Sequence, residues 1–148
     1  MKILLTLNKT YRGIPDSGYW YVYSPLKELG HDVYWYDTVY PEEDFIKVIE
    51  NFKPDIIFCC FTNSRGIAPY EPWQEIMAET RLGRTKTFNW FCDDTWRFNN
   101  FSSWACHYFN VCSTPEPSYI KKYKGAGYDN IVLGNWHANS EFYPVKQF

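Results

Sequence analysis

The sequence has 148 residues, of which 13 Tyr, 11 Phe and 7 Trp make 21% aromatic, and 15 Lys and Arg face 17 Asp and Glu for a net charge of −2. This length fits one domain whose core needs no disulfide staple, and the near-neutral charge argues against a general nucleic-acid binder. The 45% hydrophobic content argues against disorder, and no apolar run approaches the ~20 residues of a membrane span.

Taken in chain order, residues 2–7 (KILLTL) read as a buried strand. An aromatic helical stretch follows, with Tyr19, Val22, Tyr23, Leu26 and Leu29 on one face. Pro25 either kinks this helix or sits in the first turn of a short helix capped by Ser24. The turn Gly30-His31 leads into a second strand at 32–37 (DVYWYD). Residues 41–52 carry the cleanest helical stripe, Phe45, Val48, Ile49 and Phe52, with Pro41-Glu42-Glu43 at its start and Pro54 as its stop. A buried strand, DIIFCCF (55–61), then a polar loop, lead to a helix over 72–82 with Trp73, Ile76 and Met77 inward and Gly83 as terminator. TKTFNWFCDD (85–94) reads as a strand ending in two acids, followed by a loop and a short helix near 102–109. NVCST (110–114) is a strand, 117–128 a helix closed by Gly125, and NIVLGNW (130–136) the last strand.

Strands separated by helix-length segments predict βαβ units. The fold class expected is α/β: a Rossmann-like three-layer sandwich with a mostly parallel sheet of about six strands. One domain spans 1–140, and 141–148 begin an interdomain linker or a C-terminal tail. The N-terminal MKILLTLNKTYRG lacks a small-residue cleavage site, so no signal peptide is read and a cytoplasmic protein is expected. The Asn-x-Ser/Thr matches at Asn8 and Asn100 are then uninformative. Five cysteines, an odd number in mostly apolar runs, read as buried free thiols. Cys106-His107 and Cys112 lack the paired spacing of a metal cage, and no metal is expected.

In such sheets ligands bind beyond the carboxyl ends of the strands, so the informative loops are 8–18, 62–71, 93–103, 113–117 and 135–144. The first, NKTYRGIPDSG, is neither a dinucleotide nor a phosphate-binding glycine loop. Gly13 and Gly18 mark either a wide turn or backbone amides approaching a hydroxylated or anionic ligand. Asp93-Asp94 is the sharpest constellation. Two adjacent carboxylates at a strand end diverge, so one can face a cleft, accepting or hydrogen-bonding a hydroxyl proton, while the other caps the next segment. Trp90, Trp96 and Arg97 add an apolar platform and a cation; the plainer alternative has one Asp opening a turn and the other paired with Arg97. A phospho-acceptor receiver domain is excluded because Asn8-Lys9 and Thr62-Asn63 stand where its acids belong, and NKTYRG is a poor flavodoxin phosphate loop. His31 and His107 read as structural, and Lys121, Lys122 and Lys124 as a solvated face. His137 falls on the ligand side of the sheet.

Several segments together resemble the N-terminal half of a GT-B-type glycosyltransferase of group 1. KILLTLN, the glycine-containing loop and LKELGHDVYWYD (26–37) resemble its first strand, loop, helix and second strand, and KPDIIF (53–58) its third. WFCDDTWRFNNFSSWACHYFNVCST (90–114) is similar to the spore-maturation, CgeB-like glycosyltransferases, and NIVLGNWHANSEFYPV (130–145) to the segment closing their first domain. The resemblance covers nearly the whole chain. It implies an acceptor-binding half of an enzyme that transfers a sugar from a nucleotide-sugar donor to a hydroxyl. Asp93 and Asp94 are then the catalytic candidates, as base in an inverting mechanism or as acceptor-positioning groups in a retaining one. Arg12, Gly13, Gly18, Trp90, Trp96, Arg97 and His137 are the acceptor-side candidates. This chain would bind no cofactor itself, the nucleotide-sugar being held by a C-terminal donor domain or a partner subunit. A homodimer is a further partner expectation. The alternative is a non-enzymatic Rossmann-like module that binds a ligand or partner through its aromatic loops.

Overall fold

In the computed structural model, which describes residues 1–134, the apolar runs become strands because each alternates its side chains between two covered faces. The strands are β1 (Lys2–Leu7), β2 (Thr10–Tyr11), β3 (Ile14–Pro15), β4 (Asp32–Asp37), β5 (Ile56–Cys59), β6 (Lys86–Trp90), β7 (Val111–Thr114) and β8 (Ile131–Leu133). Six of them form one sheet in the order β4-β1-β5-β6-β7-β8, every neighbouring pair parallel, and β2 and β3 form a separate antiparallel hairpin.

The helices are α1 (Ser24–Glu28), α2 (Phe45–Phe52), α3 (Trp73–Leu82), α4 (Asp94–Arg97), α5 (Ser103–Ala105) and α6 (Tyr119–Gly125). From β1 the chain steps one way to β4; every later crossover steps the other way. Right-handed connections therefore put α1 on one face and α2 to α6 on the other. The two cores agree. Leu4, Ile57 and Cys59 pack beneath Phe45, Val48, Ile76, Phe101 and Tyr123, while Ile3, Leu5 and Leu7 pack beneath Val22, Tyr23 and Leu26. The result is the expected three-layer, Rossmann-like α/β sandwich. Among the described residues no helix is long and apolar enough to cross a membrane.

Local chemistry sets the boundaries. The 41–52 helix begins later than the acidic run implied, because the Asp44 carboxylate caps it, accepting from the Ile46 and Lys47 amides. Lys53 ends it in the left-handed region at φ 51°, just before Pro54. Pro25 does sit in the first turn of α1, but a single wide turn over Tyr19–Tyr23 precedes it, and the Ser24 hydroxyl donates to Glu28 rather than capping. Gly83 terminates α3 at φ 65° as expected. After α6 the left-handed residue is Gly127 rather than Gly125.

The largest departure follows β6. The strand expected over 85–94 stops at Trp90, and Asp94 already lies in a helical turn. Helical segments then run through 94–108 in place of a loop and one short helix. Their buried side chains, Phe98, Phe101, Ser102, Ala105 and Cys106, recur at the i, i+3, i+4 spacing of one helical face. That stripe, free of Gly and Pro, was present in the sequence.

Three buried phenols, Tyr36, Tyr123 and Tyr128, sit in the larger core, and burial raises the Tyr36 pKa to about 12. Tyr123 and Tyr128 are 0% and 6% exposed. Burial pushes both above the ordinary phenol range, reinforced by Asp94 beside Tyr123 and by Cys112 beside Tyr128. An unfolded tyrosine releases its proton near pH 10 whereas these retain theirs. Their contribution is therefore fully present below about pH 10 and is lost above it, at about 1.4 kcal/mol per pH unit for each phenol. The thiols of Cys59, Cys92, Cys106 and Cys112 are also raised above their ordinary range. Urea midpoints followed from about pH 8 to 11 should therefore begin to fall at about pH 9 and fall more steeply above about pH 10, and Tyr128→Phe should make the upper part of that fall shallower.

Candidate functional site

The sheet changes direction between β1 and β5, since the chain leaves β1 toward β4 on one side and later returns to β5 on the other. Loops diverge at such a point and leave a crevice beyond the strand ends. Here that crevice holds a cavity of about 430 Å³ whose wall includes Asn8, Tyr11, Asp16, Tyr21, Thr62 and Trp90. A smaller hollow of about 100 Å³ continues it toward Asp93 and Arg97, sharing Cys60, Thr62, Trp90 and Cys92. A second hollow of about 450 Å³ lies between α2 and α3, beside Lys53 and Thr85, at the opposite end of the strands.

The first wall is the loop after β1. Tyr11 and Ile14 pair across a two-residue turn, with Arg12 at φ 51° and Gly13 at φ 77°. Positive φ at both positions is what the primed hairpin turn requires. This makes residues 10–15 a hairpin rather than a wide turn. Its tip is exposed, and the Arg12 guanidinium lies 5.3 Å over the Tyr11 ring. Neither Arg12 nor Gly13 lines the cavity; Tyr11 does. Behind the hairpin, Asn8 Nδ2 donates to Asp16 Oδ2 at 2.9 Å and the Gly18 amide donates to Asp16 Oδ1 at 2.8 Å. Gly18 is buried against β1, where a Cβ would stand 2.5 Å from Leu7 Cδ1. The close approach explains the glycine, and it sets the loop down on the cavity wall.

The second wall is the loop after β5. Glu71 ties it together: its carboxylate accepts from the Thr62 amide and hydroxyl, from the Asn63 amide at 2.8 Å and from Trp73 Nε1 at 3.0 Å. Burial raises the Glu71 pKa while these four hydrogen bonds oppose the rise. Asn63, at φ 51°, holds the tight bend that lets one carboxylate receive consecutive amides. On the far side, Asp37 at the end of β4 accepts from the Lys9 and Val39 amides and anchors the root of the hairpin.

The third wall divides the two acids. Asp93 precedes α4, is half-buried and lines the smaller hollow, and among the described residues no group hydrogen-bonds its carboxylate. Asp94 is 0% exposed and points into the core, where the Tyr123 hydroxyl donates to it at 2.8 Å. One acid faces the cleft and the other does not. Arg97 pairs with neither. Its guanidinium donates to the Thr62 carbonyl and lies 4.2 Å over the Phe101 ring, bridging the loops after β5 and β6.

Of the other candidates, Trp90 is 8% exposed and lines both hollows, whereas Trp96 is 67% exposed and stands outside them. Trp96 belongs instead to a set of exposed rings, with Tyr11, Tyr40 and Tyr70, carried on the loops that follow β6, β1, β4 and β5. His137 and the 140/141 boundary lie outside the described residues. The residues missed from the sequence are Asn8, Asp16, Tyr21, Thr62 and Glu71. Asn8, Asp16, Thr62 and Glu71 fall within two of the five loops read as informative, 8–18 and 62–71, but no ligand-binding motif marks them. Among the described residues no three His, Cys, Asp or Glu side chains converge to hold a metal ion.

The chain matches no protein-family model and no curated protein.

Proposed function

We propose that this chain is the acceptor-binding half of a GT-B-type glycosyltransferase, with the sugar-accepting hydroxyl received in the cavity beyond β1, β5 and β6. One observation carries the reading: a half-buried carboxylate without a hydrogen-bond partner among the described residues, Asp93, lines the hollow of about 100 Å³ that continues from a cavity of about 430 Å³ lined by tyrosine, tryptophan and hydrogen-bonding polar groups. Aromatic faces suit the C–H surfaces of a pyranose, and a few fixed polar groups suit its hydroxyls. The exposed rings on the neighbouring loops fit a second surface placed opposite this one.

In an inverting transfer Asp93 would take the proton of the acceptor hydroxyl as its oxygen bonds to the anomeric carbon and the nucleotide diphosphate leaves. Asp94, sealed in the core, would act only by holding the start of α4 in place. The nucleotide-sugar is assigned to a C-terminal donor domain or a partner subunit.

The test is a pair of titrations. Simple glycans should perturb NMR signals from Tyr11, Tyr21 and Trp90, while nucleotide-sugars should leave them unmoved. Tight nucleotide-sugar binding by this chain alone would contradict the assignment. A ligand with no sugar-accepting hydroxyl that binds better than any glycan would favour the non-enzymatic module.

A further inference from the structure

Strand alternation sends the neighbouring thiols Cys59 and Cys60 to opposite faces of the sheet. Cys59 is 0% exposed in the core beneath α2 and α3, whereas Cys60, one residue past β5, turns to the other face and into the cavity. The adjacent strand β6 ends at Trp90, and Cys92 beyond it turns to the same side. The two sulfurs stand 3.5 Å apart, and both line the larger cavity and the smaller hollow. They form the seam between the two spaces.

A disulfide bond measures about 2.05 Å, so closure requires the sulfurs to approach by about 1.5 Å. Both residues lie beyond the last β5–β6 pair, Cys59 with Asn89. The Cys60 amide still donates to the Thr6 carbonyl of β1 at 3.4 Å, so the approach falls to the two side chains and to the Cys92 backbone. The other cysteines are placed differently: Cys106 and Cys112 are buried on the opposite face, and Cys112 contacts the Tyr128 hydroxyl there.

We propose that Cys60 and Cys92 are a reversible dithiol–disulfide site in the wall of the cavity, oxidised by a small-molecule disulfide such as oxidised glutathione. The Cys60 thiolate attacks one sulfur of the small disulfide, and the first small thiolate leaves. Cys92 then gives up its proton and attacks the Cys60 mixed disulfide, and the second small thiolate leaves. The protein loses two electrons and two protons, and the small disulfide gains both as two thiols. The order follows from the contact itself: the hydrogen bond with Cys60, together with burial, keeps Cys92 protonated well above the ordinary thiol range. The new bond draws together the loops after β5 and β6, which carry Thr62 and Asp93, and narrows the passage between the two spaces.

The site is independent of the glycosyl-transfer reading, because its readout is a covalent bond. The folded chain is equilibrated in buffers of oxidised and reduced glutathione, quenched with acid, and analysed by intact mass and peptide mapping. The expected species has lost two hydrogens, carries no glutathione, links the Cys60 and Cys92 peptides, and returns to five free thiols with dithiothreitol. Cys60→Ser and Cys92→Ser should each prevent the link, and Cys92→Ser should retain glutathione on Cys60. Five free thiols in the most oxidising buffer would overturn the proposal, as would a link that joins any other pair.

Discussion

On the proposed glycosyltransferase reading, replacing Asp93 with Asn, assayed together with the donor domain or partner subunit that this reading requires, is expected to lower sugar transfer by about 10²–10⁴-fold, the usual contribution of a positioned general base. The substitution removes charge and basicity while keeping the side chain's size, and the carboxylate accepts no hydrogen bond from the described residues. Stability should therefore change by less than about 0.5 kcal/mol, as for substitutions that break no packed or paired group. Initial rates with a saturating nucleotide-sugar and a varied acceptor measure the effect. A fall in kcat with an unchanged acceptor KM identifies a base; a rise in KM alone identifies a positioning group. Unchanged turnover removes Asp93 from the mechanism.

Tyr123→Phe should show the reverse pattern. The Tyr123 hydroxyl, itself in a residue 0% exposed, donates to both oxygens of the fully buried Asp94 at 3.0 and 2.8 Å. Its removal keeps the ring among Phe91 and Phe98 but leaves a buried carboxylate without that donor. A hydrogen bond to a charged group is worth about 1.5–3 kcal/mol, and an orphaned buried acceptor adds its desolvation cost, so a loss of about 2–4 kcal/mol is expected. Urea unfolding of the two proteins measures it. Asp94→Asn should recover part of the loss in the Tyr123→Phe background, because a neutral amide is cheaper to bury than an unpaired carboxylate. The two acids thus separate by experiment: Asp93 through rate at constant stability, Asp94 through stability.

How far the sequence was legible varies along the chain. The stripe Phe45, Val48, Ile49, Phe52 was legible because it repeats the helical period over its whole length, and KILLTL because it is a short continuous apolar run that stops at polar residues. The segment after β6 was harder. Its acids were read as a strand end, since Trp90, Phe91 and Cys92 prolong the apolar run, although Phe91 and Asp94 both turn inward. A continuous apolar run does not say where pairing stops. Gly18 was read as part of a wide turn or as an amide approaching a ligand; the close approach of Leu7 Cδ1 to the place where its Cβ would be joins two segments and cannot be read from either.

The aromatic surplus shows the same division. From order and periodicity alone, the sequence determined a parallel α/β sheet with its informative loops at the strand ends, because the local period of apolar residues dictates helix or strand. Only the tertiary structure decided which aromatic side chains serve the core and which stand at the mouth. Phe91, Phe98 and Tyr123 are sealed inside, Trp90 lines the cavity, and Tyr11, Tyr40, Tyr70 and Trp96 remain exposed. Likewise only the fold set Cys60 beside Cys92 and turned Asp94 away from Asp93. These relations depend on strand order and on which face a residue meets, and both are fixed by contacts between residues far apart in the chain.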